Sequence, residues 1–337
     1  MRLDAPGSER FLQSHSLGMS FAGGEANVAV ALAHWGLTSR LVSKVPAHDL
    51  GTACLQAYRQ HGVDTSFVAR GGPRLGIFFV ENGTTQRGPQ VIYDRAGSSF
   101  TEVSPNDFDW PRIIEGANWF HFTGTAPALG LQVNAALREA LEHCRRHGIT
   151  VSFDVSYRSA LWSVEEAGET FRKLLPFVDV LIGSEQDARQ FFGVDLSNDS
   201  KSTPETREAS LRALQSEHGF RAILFSDRTV SDIGHHFFAA SLLMGEPSLV
   251  QDGGKQHPVV VHTPSVEIIP VDRIGTGDAL AAGLIRGLLL GHSPQATLNF
   301  ALAAAVLKHT IPGDFALASV AEINHFASGQ PLTRIRR

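Results

Sequence analysis

Cysteine is nearly absent from this chain: two, Cys54 and Cys144, occur in 337 residues. A disulfide framework is thereby excluded, and the pair shares no metal-ligand spacing with the histidines, so a reducing compartment is expected. No apolar run approaches the roughly 18–20 residues that a membrane span needs. The opening Met1-Arg2-Leu3-Asp4 lacks the apolar stretch of a secretion signal, and a soluble, cytoplasmic protein is expected. A basic stripe is missing too. Lys and Arg total 29 against 34 Asp and Glu, a net charge of −5, which excludes a nucleic-acid partner. The only dense basic run, at residues 334–337, is expected as a solvated tail. Neither a G-x-x-x-x-G-K-[ST] motif nor an internal repeat occurs.

Apolar residues make up 43% and charged residues 19%, a balance that supports a packed interior. The length suits one large domain with a small appendage. Apolar runs at 149–153, 178–182 and 222–225 predict buried strands, and helical spacing at 165–175 and 205–218 predicts amphipathic helices between them. That alternation implies an α/β fold with a mainly parallel central sheet and helices on both faces. The stretches 195–204 and 245–258 are expected as surface loops. One region departs from the rhythm. From 75 to 99 the chain alternates, turns at Glu81-Asn82-Gly83 and alternates again, which predicts a strand pair that covers a site as a small β lid.

The sharpest local feature is Val271-Asp272-Arg273-Ile274-Gly275-Thr276-Gly277-Asp278, between an expected strand at 266–271 and an apolar helix at 279–290. Its glycines let the backbone approach a ligand closely. The free N–H groups of the helix's first turn form an anion site, and Asp278 is placed to take a proton from a hydroxyl held beside it. On these residues alone, a Gly-rich turn capped by Asp278 explains the loop equally well. It is not a dinucleotide fingerprint, since Leu280 stands where the third glycine belongs.

A second Gly pair precedes a helix in Ala22-Gly23-Gly24-Glu25-Ala26-Asn27-Val28-Ala29-Val30-Ala31. This stretch resembles the first signature of the PfkB (ribokinase-like) carbohydrate kinases, and 272–278 resembles their second. Two signatures in family order are far more specific than either alone. The resemblance runs along the whole chain and is strongest to the 2-keto-3-deoxygluconate kinases. It is carried by Arg74-Leu75-Gly76-Ile77-Phe78-Phe79-Val80-Glu81, Val91-Ile92-Tyr93-Asp94-Arg95, His121-Phe122-Thr123-Gly124, Asp154-Val155-Ser156-Tyr157-Arg158 and Lys308-His309-Thr310-Ile311-Pro312-Gly313-Asp314-Phe315.

The resemblance implies a single ribokinase-like domain over 1–337, with lid strands near 8–22 and 74–95. It implies ATP and Mg²⁺, Asp278 as catalytic base, and Gly275, Thr276 and Gly277 as the anion hole. Gly23, Gly24, Asn27, Phe78, Tyr93, Arg95, Thr125 and Arg158 would bind the sugar. Ser184, Ser226, Arg228, Asn299 and Lys308 would join Gly275 and Gly277 around ATP, Asp187 would serve the metal, and lids would pair in a homodimer. Arg95 and Arg158 suit the carboxylate of 2-keto-3-deoxygluconate better than a neutral sugar. The galactonate epimer, fructose, and a weakly active sugar-acid-binding protein stand as alternatives.

Several positions depart from the family pattern. Phe78 replaces a Tyr, Ser156 an Asn and Thr125 an Ile, while Ser184 and Asp187 replace the Asn and Glu of N-x-x-E. The family's apolar first strand also has no counterpart here, since Met1-Arg2-Leu3-Asp4-Ala5-Pro6 resembles the segment that follows it. An open place in the sheet beside the helix near 22–36 is therefore expected, with residues 1–20 running through the lid.

Overall fold

The computed structural model describes residues 1–84, 87–194, 202–230, 235–245 and 258–330. The expected loops at 195–204 and 245–258 lie largely outside the described residues, and the basic run at 334–337 lies wholly outside them. The chain opens with two short strands, β1 (Arg2–Asp4) and β2 (Gly18–Ser20), ahead of helix α1 (Gly24–His34). Strand β3 (Ser43–Val45), helix α2 (Asp49–Arg59) and strand β4 (Val68–Arg70) follow as one unit, with β3 and β4 parallel. Strands β5 (Ile77–Glu81) and β6 (Gln90–Asp94) then pair antiparallel. Because β1 lies parallel to β5, four strands form one small sheet in the order β2-β1-β5-β6. Residues 8–17, inside the range expected for a lid strand, carry no strand; β1 begins the lid sheet instead.

From Trp110 onward strand and helix alternate. Helix α3 (Trp110–Ile113) leads to β7 (Trp119–Thr123), α4 (Leu131–Arg146), β8 (Thr150–Asp154), α5 (Val164–Leu174), β9 (Val180–Gly183), α6 (Glu185–Phe192), α7 (Pro204–His218) and β10 (Ala222–Val230). Strands β7 to β10 are parallel neighbours in chain order. The direction then reverses with β11 (His236–Met244), against which β12 (Val259–His262) and β13 (Val266–Ile268) also run antiparallel. Helices α8 (Thr276–Leu289), α9 (Pro294–Lys308) and α10 (Val320–Ala327) complete the chain.

Successive side chains of a strand point to opposite faces, and here both faces are buried. Val180, Ile182, Ala222 and Leu224 pack against α1, α8, α9 and α10 through Val28, Leu284, Ala301 and Ile323. Leu181, Ile223 and Phe225 face the other way, onto Leu141, Phe171, Phe191 and Leu214 of α4 to α7. Burial on both sides is what makes these strands unbroken apolar runs in the sequence. Two elements differ from the sequence expectation. Strand β10 runs five residues beyond Phe225, because β11 pairs with it over its full length. Strand β13 stops at Ile268, and the backbone N–H groups of Val271 and Asp272 bond the carbonyl of His309 instead of a strand.

On one side β7 ends the large sheet, and β3 belongs to a separate two-stranded sheet. Between them lies a cavity of about 820 Å³. Leu41 and Val45 line one wall, Phe120 and Phe122 of β7 the other, and Ala29 of α1 and Leu137 of α4 close it above and below. The same space is partly open and extends past α1 to the small sheet, where Phe78 and Arg95 also line it.

Candidate active site

The parallel strands deliver Thr123, Asp154 and Gly183 at their carboxyl ends, where open α/β sheets form their ligand crevice. Helix α8 starts beside that edge. Its N-cap, Gly275, has φ +83°, a left-handed conformation that suits glycine, and a Cβ there would collide with the carbonyl oxygen of Asp314. Thr276 is buried, and its hydroxyl donates to the carbonyl of Arg273, while Gly277 is exposed. The first turn of a fourteen-residue helix thus meets the crevice through glycine backbone.

Asp278, in that turn, accepts a hydrogen bond from Asn27 Nδ2 at 2.7 Å. The Oδ1 of Asn27 in turn accepts from the N–H of Gly23 at 3.3 Å, so one buried amide ties the Gly23-Gly24 turn to Asp278. A Cβ on Gly24 would lie 3.7 Å from the free Oδ1 of Asp278. Burial pushes the Asp278 carboxyl up to about 8 against the pull of the Asn27 bond, and the charges of Asp154, Asp314 and Glu25 push the same way. A carboxyl near neutrality with one oxygen held and one facing a crevice can exchange a proton there. Asp154, at the end of β8, is raised by burial to about 6 while Ser156 donates to it twice.

Cations ring the same edge. Arg95 stacks on Tyr93 with its guanidinium carbon 4.1 Å from the ring centre, and its Nη1 is buried without a hydrogen-bond partner. Burial, then the charge of Arg158, lowers its pKa. Arg228 is lowered by burial and by the charges of Arg273 and Arg158. Arg158 is thus near enough to both Arg95 and Arg228, and Arg273 to Arg228, for their charges to interact, a gathering of positive charge that suits anions.

This geometry agrees with the pfkB family of carbohydrate kinases, whose description matches residues 4–227. The chain belongs to the PfkB family of carbohydrate kinases. A 2-dehydro-3-deoxygalactonokinase of Haloferax volcanii is 31% identical over 330 residues, covering 98% of this chain and 94% of that protein. The crystal structure of a 2-dehydro-3-deoxygluconokinase of Thermotoga maritima superposes with a TM-score of 0.89 at 37% identity, over 97% of this chain and 96% of that one. An uncharacterized sugar kinase of Pyrococcus horikoshii in complex with ATP shares the fold, with a TM-score of 0.70 at 21% identity over 94% and 91% of the two chains.

In this PfkB kinase Gly23, Gly24, Phe78, Arg95 and Thr125 line one end of the same 820 Å³ space that runs between β7 and β3. Phe78 stands opposite Tyr93 in the lid ladder, ring centres 6.1 Å apart. Arg158 is exposed on the loop after β8 and donates to its neighbour Tyr157 O. Thr125 Oγ1 donates to Ser156 O across that loop. Ser226 Oγ donates to Gly183 O between β10 and β9. Asn299, on α9, accepts from Gln295, which also donates to His262 O beside β12.

Four of the expected site residues are engaged by the protein's own groups. Lys308 is fully buried, with its ammonium donating to the carbonyls of Ile311 (2.9 Å) and Asp272 (3.4 Å), so it braces the loop that leads to Gly275. Asn27 uses both ends of its amide on Asp278 and Gly23. Ser184 and Asp187 cap α6 reciprocally: Asp187 Oδ2 accepts from Ser184 N and Oγ, and Ser184 Oγ accepts from Asp187 N. Asp187 therefore has one oxygen left to offer. Glu25, Asp154 and Arg273 were not singled out from sequence. Glu25 Oε1 accepts from Thr123 N (3.0 Å) and Oγ1 (2.7 Å), joining α1 to the end of β7. The usable signal for Asp154 was a carboxylate closing an apolar strand run.

Proposed function

We propose that this kinase transfers the γ-phosphoryl group of ATP to the primary hydroxyl of 2-keto-3-deoxygluconate, or of its galactonate epimer, with Asp278 as the base. The observation that carries the acid specificity is the buried, unsatisfied Nη1 of Arg95 in the wall of the sugar pocket. A buried donor without a partner costs about 1–3 kcal/mol, and a substrate carboxylate between Arg95 and Arg158 relieves it. Asp278 takes the hydroxyl proton as the oxygen attacks, and the backbone N–H groups at Gly275, Thr276 and Gly277 face the charge that spreads over the transferring group. Arg228 and Arg273, which form no ion pair among the described residues, suit the remaining phosphates.

Magnesium neutralises phosphate charge in such reactions. The described residues contain no cluster of three metal-ligating side chains. Asp154 and Asp187, whose charges interact, fit an ion held mainly by phosphates and water. The lid closes water out over the sugar, and exposed Met19 and Ile92 on its strands support pairing of two lids. A second reading, a kinase of reduced turnover, is favoured by the cavity into which the sugar pocket opens.

An ADP-release assay across 2-keto-3-deoxygluconate, 2-keto-3-deoxygalactonate, fructose and ribose tests the proposal. The keto acids should exceed the neutral sugars in kcat/KM by at least about tenfold, the worth of one charged hydrogen bond. Equal or better turnover of a neutral sugar would overturn the acid specificity, and uniformly low turnover would favour the second reading.

A further inference from the structure

We propose that Arg2, on lid strand β1, is a positioning residue for phosphoryl transfer that holds the anion-hole turn in place and ties it to the lid. The inference rests on reading residues 275–278 as anion hole and base. Arg2 is 2% exposed although it lies in a three-residue strand near the chain start. Its backbone is fixed in the lid, opposite Ser20 of β2 and Phe78 of β5. Its Nε stays 3.4 Å from Asp4 Oδ1 on the same strand, while its Nη1 reaches out of the small sheet. Its Nη1 meets Asp272 Oδ2 at 2.7 Å and Asp314 Oδ1 at 2.8 Å.

Those two carboxylates organise the floor of the anion hole. Asp272 Oδ1 accepts from Ile274 N at 3.0 Å and so shapes the turn that leads to Gly275. Asp272 Oδ2 accepts from Gly313 N at 3.0 Å, linking that turn to the loop after α9. The carbonyl of Asp314 then presses directly on Gly275. Lys308 supports the same pair of loops from below through the carbonyls of Asp272 and Ile311. Arg2 is thus the cation between two buried acids on two loops, one of which presents the catalytic amides. Without it, two carboxylates would share a closed space with no Arg partner, and the turn would shift or an acid would take up a proton. Asp272 and Asp314, at 8% and 6% exposure, are shut away from any diffusing substrate. The loss should therefore fall on kcat and not on binding.

The test uses full-length Arg2→Met, Arg2→Lys and Arg2→Met/Asp314→Asn with ATP and 2-keto-3-deoxygluconate, beside Asp278→Asn. Misplacing a catalytic group by an ångström costs about 100-fold. Arg2→Met should lose about that factor in kcat, with KM for both substrates within about threefold of the parent. Arg2→Lys, whose ammonium can still sit between the acids, should recover about tenfold of the loss. If Arg2→Met does not fold, the double variant, relieved of one unpaired acid, provides the same kcat-to-KM comparison. A folded variant with kcat within about twofold of the parent, a loss confined to KM, or a Lys variant no better than Met would each overturn the proposal. Unimpaired Asp278→Asn would instead remove the underlying reading of the site, whereas a dead Asp278→Asn beside a fully active Arg2→Met sinks the Arg2 role alone.

Discussion

Replacing Asp278 by Asn removes one ionisable oxygen while keeping shape and the contact with Asn27, so the fold should persist. Turnover should fall by about 10²–10⁴, the usual contribution of a general base. The buried carboxyl titrates near 8 instead of its ordinary 3.8, which sets two further magnitudes. First, only about a tenth of free enzyme carries ionised Asp278 at pH 7. The parent's kcat/KM should climb about tenfold per pH unit below that value and level off above it. Second, the folded chain holds this proton between pH 3.8 and about 8 while the unfolded chain has released it. The carboxyl's contribution to stability is therefore fully present below 3.8 and is lost as pH rises through 8. Asn has no such loss, so the variant's Tm should gain on the parent's across that window and hold its lead above it. A coupled ADP-release assay between about pH 6 and 9 and calorimetry over the same range measure both. A variant within about tenfold of parental turnover, or a flat parental kcat/KM profile, would refute the assignment.

The remaining predictions concern the acid clamp and a strained residue. Arg158→Met and Arg95→Met should each weaken 2-keto-3-deoxygluconate by about 1.5–3 kcal/mol and leave fructose unaffected, as KM and isothermal titration report; loss of ATP affinity instead would move these arginines to the nucleotide. Ser156 is the one non-glycine residue among those described with positive φ, at 36°. Asn tolerates that conformation better, so Ser156→Asn should raise stability by about 1 kcal/mol, and an unchanged or lower Tm would show that the two bonds to Asp154 already hold the turn without cost.

Much of this kinase was legible in one dimension. The apolar runs at 149–153, 178–182 and 222–225 became β8, β9 and the first part of β10 because strands covered on both faces leave no polar alternation. The turn at Gly275 was legible because a left-handed N-cap packed against another backbone carbonyl has room only for glycine. The depth of Lys308 was not legible, because its stretch of sequence says nothing of burial. A lysine at an exposed helix end and a lysine buried among carbonyls are written alike, and only the fold separates them.

What the sequence by itself determined is therefore what depends on local rules: strand and helix periodicity, the backbone freedom of Gly275, and the chemistry that Asp278 can perform. The tertiary structure alone decided which distant groups share a space. It placed Asn27 on Asp278, 251 residues away, and Arg2 on Asp314, 312 residues away. It also left β7 and β3 on either side of a cavity. The reason is physical. Desolvation, charge pairing and packing are set by neighbours in space, and neither the pKa of a buried carboxyl nor the partner of a buried guanidinium exists until the fold closes around it.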